Sequence, residues 1–222
     1  MIKKVLIGIW LVVSGVLAMV SCTKNNENTI ILIGTEGYIK DILEVIPDSL
    51  QTKFFAEFGN IPEGPVPPRL DFNPQDSTKK EASYVVDPRQ RVYTNVTMGW
   101  PLDVVELNAY RRFFGQHNGI VGMEFNDGES TLTDTVYVCG KDNDFAVYFI
   151  EEMAFDVESD NQIYSVKMER GVIMKGRVTD AGLADFRYAT IVRNKDDEMN
   201  LLPEVGSCYI YKDGNGIAER IN

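Results

Sequence analysis

Residues 116–128, Gln-His-Asn-Gly-Ile-Val-Gly-Met-Glu-Phe-Asn-Asp-Gly, place one strand-like run between two turn sequences. Val121, Met123 and Phe125 alternate with a glycine and a glutamate, and this period of two is typical of a strand with one buried face. Gln-His-Asn-Gly before the run and Asn-Asp-Gly after it are strong hairpin-turn sequences, because asparagine and glycine tolerate positive φ. The stretch therefore predicts antiparallel strands joined by hairpins.

The same pattern recurs from about residue 81 to the end of the chain, with no helix-sized pattern between the strands. The turn signals come at short intervals and include Glu-Arg-Gly171 and Lys-Asp-Gly214. A long meander would leave exposed edges, and closure removes them. The sequence predicts a mainly β fold, an antiparallel up-and-down β-barrel of about 8–10 strands over 81–222, with a two-sheet β-sandwich as the alternative. The strand-like runs are about 92–98, 103–113, 121–125, 133–139, 144–151, 164–169, 172–178, 186–194 and 205–212.

The first 22 residues have the pattern of a bacterial lipoprotein signal. Lys3 and Lys4 precede an apolar run of 15 residues, 5–19, which is short for a membrane span of about 20 residues. Ser21-Cys22 then resembles a lipobox, the site at which a cysteine is acylated and the preceding peptide removed. We expect a signal peptide over 1–21 and an anchor of two or three acyl chains at Cys22. An uncleaved membrane helix is the alternative.

Three further segments are predicted before the sheet. Residues 23–30 are polar, and residues 22–34 are interpreted as a tether. Residues 35–59 carry apolar residues at helical spacing, and Pro47 divides them into two short helices, the second of which it opens. Residues 60–80 contain five of the nine prolines and are interpreted as an extended, semi-rigid linker.

Charge and cysteine content restrict the partners. The signal peptide holds two of the 22 basic residues and none of the 33 acidic residues, so the mature chain has a net charge of −13. Such an acidic chain lacks the basic footprint that nucleic acids and anionic lipids require. With Cys22 acylated, Cys139 and Cys208 remain. They could form a disulfide only if their strands are neighbours, and the alternative is two buried thiols.

Aromatic side chains of the predicted strands are the candidate ligand-binding residues. Inward-facing aromatics of a small barrel can line an apolar cavity, and the alternative is that they fill the barrel as its core. The candidates are Tyr137, Tyr148, Phe149, Tyr164, Phe186 and Tyr188.

Catalytic and metal-binding patterns are weak. His117 is the single histidine, so a histidine-rich metal centre is excluded. It lies in a predicted turn, and the sequence indicates no nucleophile beside it. The acidic turns 124–129 and 142–144 lack the order of an EF-hand loop, and Lys-Asp-Gly-Asn-Gly216 has no helix behind it to bind phosphate. Glu151 and Glu152 point to opposite faces of a strand, so they cannot flank one glycosidic bond. We predict no enzyme activity, no catalytic or metal site and no cofactor.

The lipobox, the proline-rich junction and the strand meander together resemble the lipocalin-like (calycin-type) lipoproteins of Bacteroidota. Gly99-Trp100 differs from the Gly-x-Trp signature of eukaryotic lipocalins, because it follows a strand and precedes Pro101. The resemblance implies an outer-membrane lipoprotein, on the periplasmic face or the cell surface, whose barrel binds a small apolar or amphiphilic ligand. The competing hypothesis is an interaction module, a β-sandwich subunit of a surface glycan-uptake or adhesion complex with a protein or glycan partner.

Overall fold

The computed structural model describes residues 27–31, 43, 45–96, 105–106, 108–126, 131–159 and 162–221. These residues form twelve strands and one helix, α1. The predicted helix within 35–46 and the Asn-Asp-Gly128 turn lie almost entirely outside the described residues. The elements in chain order are β1 Glu27–Ile31, α1 Asp48–Phe58, β2 Glu81–Val86, β3 Arg89–Thr94, β4 Val105–Glu106, β5 Ala109–His117, β6 Ile120–Asn126, β7 Thr131–Lys141, β8 Asp144–Ser159, β9 Gln162–Val178, β10 Gly182–Asp196, β11 Cys208–Asp213 and β12 Ile217–Ile221.

The antiparallel sheet closes on itself in a ring. Neighbouring strands pair in the order β2-β5-β6-β7-β8-β9-β10-β12, and β12 pairs back with β2. Each step from β5 to β10 joins strands that are consecutive in sequence, as hairpin connections require. The predicted mainly β fold with a closed up-and-down antiparallel sheet is therefore confirmed.

Two ring strands continue past bends. β11 pairs with β10 and β3 just beyond the stretch where β12 pairs with β10 and β2, so β11-β12 and β2-β3 act as two long bent strands. The buried Asp213 carboxylate holds both bends, because it accepts hydrogen bonds from the backbone N–H groups of Asp87, Asn215 and Gly216. Burial raises the pKa of Asp213, and these backbone donors oppose that shift. The Lys-Asp-Gly-Asn-Gly216 sequence is thus a strand bend.

Alternating side chains of the ring enter two separate apolar clusters. On β8, Phe145, Val147 and Phe149 point into the ring, whereas Ala146 and Tyr148 point outward beneath α1. Both faces of this strand are therefore buried, which explains its continuous run of apolar residues. The interior cluster extends across all eight ring strands, and the outer cluster covers β7 to β11.

Helix α1 covers the outer cluster with one apolar stripe. Leu50, Phe54 and Phe58 recur at helical spacing and are buried against the sheet. The predicted second helix is found here. It begins at Asp48, so Pro47 is the N-cap residue and not, as predicted, the first residue of the helix. Gly59 ends the helix with a φ of 82°, a conformation that few other residues adopt.

β8 and β9 form one long hairpin of 16 and 17 residues, so the turn predicted at Glu-Arg-Gly171 is wrong. Gly171 lies in the middle of β9, where a Cβ atom would collide with Val45. The glycine therefore permits the close approach of the chain that precedes α1. Ser159 and Gln162 pair at the far end of the hairpin.

Two segments predicted as connectors belong to the fold. β1 lies within the predicted tether and pairs with β8 from Ala154 to Ile150. The proline-rich linker packs against the ring: Leu70 and Asp71 have no exposed surface, and Leu70 belongs to the interior cluster. This segment is irregular backbone, which is why its composition resembled that of a spacer.

Candidate functional site

The interior of the ring is filled by its own side chains. Most residues of the interior cluster have no solvent-accessible surface, among them Phe113, Met123, Phe145 and Met174. No space as large as a water molecule therefore lies beside these side chains, and a cavity for a drug-sized ligand needs roughly 300 Å³ or more. The described part of the interior matches the core-filling alternative for the aromatic residues.

The six predicted lining residues divide into three groups. Phe149, Phe186 and Tyr188 point into the ring. Tyr137 and Tyr148 lie on the outer face, where their rings stack with centroids 5.9 Å apart. Tyr164 lies near the end of the β8–β9 hairpin, and its hydroxyl donates to the Gln162 side chain. The structure therefore does not bring the six residues to one site.

Arginines inside the ring are a feature that the sequence analysis missed. Arg111 is fully buried between the inward Ala109 and Phe113, and its guanidinium carbon lies 3.8 Å from the centroid of the Phe125 ring. Arg89 donates to the Tyr188 hydroxyl at 3.0 Å. The alternation of side chains along the strands could have indicated that these arginines point inward, but charged residues are rarely expected in a core.

The Tyr188 ring joins these arginines into one group. It stacks on Tyr211 with centroids 4.7 Å apart and lies 5.1 Å from the Arg111 guanidinium carbon. Arg91, which is 4 % exposed, stands opposite Tyr211 on β3. The group packs as cation–π and stacking contacts, which stabilise buried guanidinium groups.

The inward carboxylate of the predicted acidic pair is part of an ion pair. Glu151 is 2 % exposed and binds the Arg170 guanidinium of β9, whereas Glu152 is exposed on the opposite face. This placement confirms that the two carboxylates point to opposite faces. Glu151 thus has a structural role in the long hairpin.

The proline-rich segment closes one end of the ring and is held there by Gln116. The Gln116 side chain accepts from Leu70 N–H at 2.7 Å and donates to the Pro68 carbonyl at 2.8 Å. Its backbone N–H donates to Asp71, which also pairs with Arg69. The Tyr84 hydroxyl donates to the Leu70 carbonyl from inside the ring. We call this end the plugged end.

A cleft of about 450 Å³ lies outside the ring, between the proline-rich segment and the β5–β6 hairpin. We call it the linker cleft. Its volume falls within the range of small-molecule sites, and it combines an apolar side with several polar side chains. The apolar residues are Pro65, Val66, Pro67, Tyr137 and Val138, and the polar ones are Arg69, Gln116, His117 and Asn118, with Gly119 between the two sets.

The side chains that line the linker cleft differ in their exposure to solvent. Val66 is 74 % exposed, so it contributes an apolar surface without a packing role. Tyr137 is half-buried, because the buried Tyr148 ring supports it from behind. His117 is exposed, and its Nδ1 lies 2.7 Å from the Gly115 carbonyl oxygen. The cleft brings together Tyr137 and His117, two residues that the sequence analysis considered.

A second cleft of about 360 Å³ flanks the other side of the plugged end. Phe72, Pro74, Arg177 and Arg220 contribute to its walls. The Arg220 guanidinium donates to the carbonyls of Thr179 and Asp180, so this residue holds the β9–β10 turn. Arg220 therefore has a structural role at this cleft.

The two cysteines of the sheet do not form a disulfide with each other. Cys139 lies on β7 and Cys208 on β11, and neither strand pairs with the other. The condition for a disulfide is therefore not met. Both thiols are buried in the outer cluster, and burial raises the pKa of Cys208 to about 12. Cys22 lies outside the described residues.

The remaining candidates do not gather into a metal site. Among the residues that the structure describes, no three His, Cys, Asp or Glu side chains are close enough to hold a metal ion. Residues 127–130 of the acidic turn are outside the described ranges. No helix in the described part of the chain has the length and apolar character needed to cross a bilayer.

Comparison with known proteins identifies no relative. The chain matches no family model, no curated protein and no solved structure.

Proposed function

We propose that this protein is a lipid-anchored, non-enzymatic binding protein of the bacterial cell envelope, attached to the outer membrane through acylated Cys22. The lipobox-like sequence at Ser21-Cys22 supports the anchor and the location. The inward acids support a non-catalytic role, because Glu151 is engaged by Arg170 and Asp213 by backbone N–H groups. The ligand is a small apolar or amphiphilic molecule.

The observation that carries this proposal is the linker cleft. The lipocalin-like resemblance implies a ligand inside the ring, but the described interior side chains leave no space there. We therefore place the ligand in the cleft outside the ring. Its lining combines the apolar side chains of Val66 and two prolines with the polar side chains of Arg69, Gln116 and Asn118. A lining with both apolar and hydrogen-bonding side chains suits an amphiphile.

The test uses an anionic amphiphilic dye, 8-anilinonaphthalene-1-sulfonate, as the probe with the chain from residue 23 onward. We expect one saturable binding site in a fluorescence titration. Val66→Glu places a charge among the apolar residues of the linker cleft and should weaken dye binding by about tenfold or more. Val205→Glu is the matched control, because Val205 is also an exposed valine, at 54 %, and lies outside the cleft.

Two results would contradict the proposal. Equal dye affinity in Val66→Glu and Val205→Glu would show that the probe binds elsewhere. A chain without saturable binding would favour the interaction module. Native mass spectrometry of the same chain, incubated with an extract of its host, then identifies the ligand as a retained discrete mass.

One observation favours a second candidate, contact with a glycan. Tyr137 presents a half-buried ring beside the amide side chains of Gln116 and Asn118. Sugars stack on rigid aromatic rings and hydrogen-bond to amides, and the Tyr148 ring holds Tyr137 in place. A glycan array distinguishes the candidates: binding lost in Tyr137→Ala and kept in Val66→Glu supports the glycan, and no binding to any glycan rejects it.

A further inference from the structure

The attachment of β1 restricts how the ring can stand on a membrane. β1 begins at Glu27, five residues after Cys22. An extended chain spans at most about 3.6 Å per residue, so an acyl anchor at Cys22 lies within roughly 18 Å of Glu27. Glu27 pairs with Ala154 of β8. The bilayer surface must therefore come within roughly 18 Å of Glu27, which lies beside Ala154.

The plugged end is too far from Ala154 for the ring to stand upright on it. Val147, which pairs with the cleft residue Val138, precedes Ala154 by seven residues, or about 23 Å at a strand rise of about 3.3 Å. Asp144, at the start of β8, is ten residues or about 33 Å away. With β8 perpendicular to the bilayer, a tether of roughly 18 Å therefore cannot span the distance from Glu27 to a membrane at this end.

The other end of β8 is within reach. β8 continues from Ala154 to Ser159, about 17 Å further along the strand axis. β1 runs antiparallel to β8, so Glu27 is nearer to this end than Ile31 is. The N-terminal end of β1, which is the end nearer to Cys22 in sequence, thus lies on the side of the hairpin end. We call residues 155–159 and 162–166 the hairpin tip.

The surface of the hairpin tip suits shallow contact with lipid headgroups. Ile163 is 69 % exposed, although it is a large apolar side chain. Tyr164, close beside it, has a polar hydroxyl on an aromatic ring, which is typical of membrane interfaces. Asp156 and Glu158 are the neighbouring acids, and their charge favours zwitterionic headgroups over anionic ones.

We propose that the hairpin tip rests on the lipid bilayer, with Ile163 at the headgroup level, and that the linker cleft faces away from the membrane. This inference rests on the acylation of Cys22 in the proposed function. It adds the orientation: the cleft is open to molecules that approach from the aqueous side, and the membrane contact is made by a different part of the ring.

The experiment places a fluorescent probe at either end of the acylated protein. Ile163→Cys and Lys141→Cys are labelled separately with an environment-sensitive maleimide dye. Lys141 is exposed and pairs with Asp144 at the plugged end. Cys139 and Cys208 are buried, and acylation blocks Cys22, so the dye reacts at the introduced thiol. The lipoproteins are placed in phosphatidylcholine–phosphatidylethanolamine vesicles that contain a headgroup-labelled spin quencher.

We expect loss of fluorescence at position 163 and no loss at position 141. Quenching at 141 equal to or greater than that at 163, in a chain whose intact mass shows acyl groups, overturns the orientation alone. An intact mass without acyl groups at Cys22 overturns the anchor in the proposed function as well. The two failures are therefore distinguishable.

Discussion

Gln116 is a single side chain on which closure of the plugged end depends. Gln116→Ala removes its hydrogen bonds with Leu70 N–H and the Pro68 carbonyl. Both backbone groups then lose a partner in a partly buried site, so we expect a loss of about 1–3 kcal/mol in the free energy of unfolding. Urea unfolding followed by circular dichroism measures it.

Gln90→Ala is the matched control for this prediction. Gln90 is half-buried on β3, and its side chain forms no hydrogen bond with the residues that the structure describes. Its substitution should change the free energy of unfolding by less than about 0.5 kcal/mol. Equal losses in the two variants would mean that Gln116 does not hold the linker.

The thiols of the sheet give a second prediction at this scale. Cys139 and Cys208 are 1 % and 0 % exposed, and the raised pKa of Cys208, about 12, keeps its thiol protonated at neutral pH. Since the thiolate is the reactive form, iodoacetamide should leave both unmodified in the native chain from residue 23 at pH 8. In denaturant without reductant, the mass should increase by two adducts. Absence of both adducts would indicate a disulfide.

The period of two predicts that neighbouring side chains face opposite sides, but it does not say which side is inside. On β8 both sides are buried, so Tyr148 and Phe149 looked equally suited to a lining. The helix that covers Tyr148 comes from a distant part of the chain. Arg111 was missed for the opposite reason. Its charge suggested that it points outward, whereas the alternation on β5 places it on the same inward face as Ala109 and Phe113.

At the scale of elements, helix α1 is held at its C-terminal end by two cations from the sheet. The Lys175 ammonium donates to the Asn60 carbonyl at 2.7 Å, and the Arg187 guanidinium donates to the Glu57 carbonyl at 2.6 Å. The helix has no basic residue in its own last turn. The sheet therefore supplies the positive charge that favours the negative end of the helix dipole.

The burial of Lys175, which disfavours its charged form, predicts a pH dependence. Burial lowers the pKa of Lys175 from 10.5 to about 8, and the nearby Arg187 charge adds to the shift. Between about pH 8 and pH 10.5 the unfolded chain binds more protons at this residue, so its contribution makes the free energy of unfolding rise with pH. The wild type should therefore gain stability relative to Lys175→Met as the pH increases from 7 to 10.

Chemical unfolding at several pH values measures this difference. Lys141→Met is the control, since Lys141 is an exposed lysine away from the helix, and its difference from the wild type should stay constant. A difference between the wild type and Lys175→Met that does not change with pH would contradict the role of burial at Lys175.

Elements with a regular pattern were predicted better than those whose structure depends on a distant partner. α1 and most ring strands follow from apolar spacing and turn residues. Gly171 was interpreted as a turn because a glycine in a strand usually marks one, and the sequence does not reveal that Val45 packs over it. β1 and the linker plug were missed, since short polar or proline-rich segments acquire their structure only from β8 and from Gln116.

At the scale of the whole molecule, closure makes the first and last strands of the ring interdependent. β12 pairs with β2 and with the start of β10, and the Ala218 side chain of β12 belongs to the interior cluster. The sequence predicted closure from the cost of exposed edges, and it could not predict which strands meet. The last of the eight ring strands meets the first only if every hairpin between them has the correct register.

A chain of residues 23–215, which lacks β12, should therefore lose the cooperative fold. Removal of β12 leaves β2 and the start of β10 with an unpaired edge and opens the interior cluster to water. We therefore expect aggregation and no sharp thermal transition. A chain of residues 33–222 is the control: it lacks β1, which pairs with β8 outside the ring, and it should remain a monomer that unfolds cooperatively. Circular dichroism on heating and size-exclusion chromatography compare the two. If the chain without β12 unfolds as sharply as the chain without β1, ring closure does not hold the molecule together.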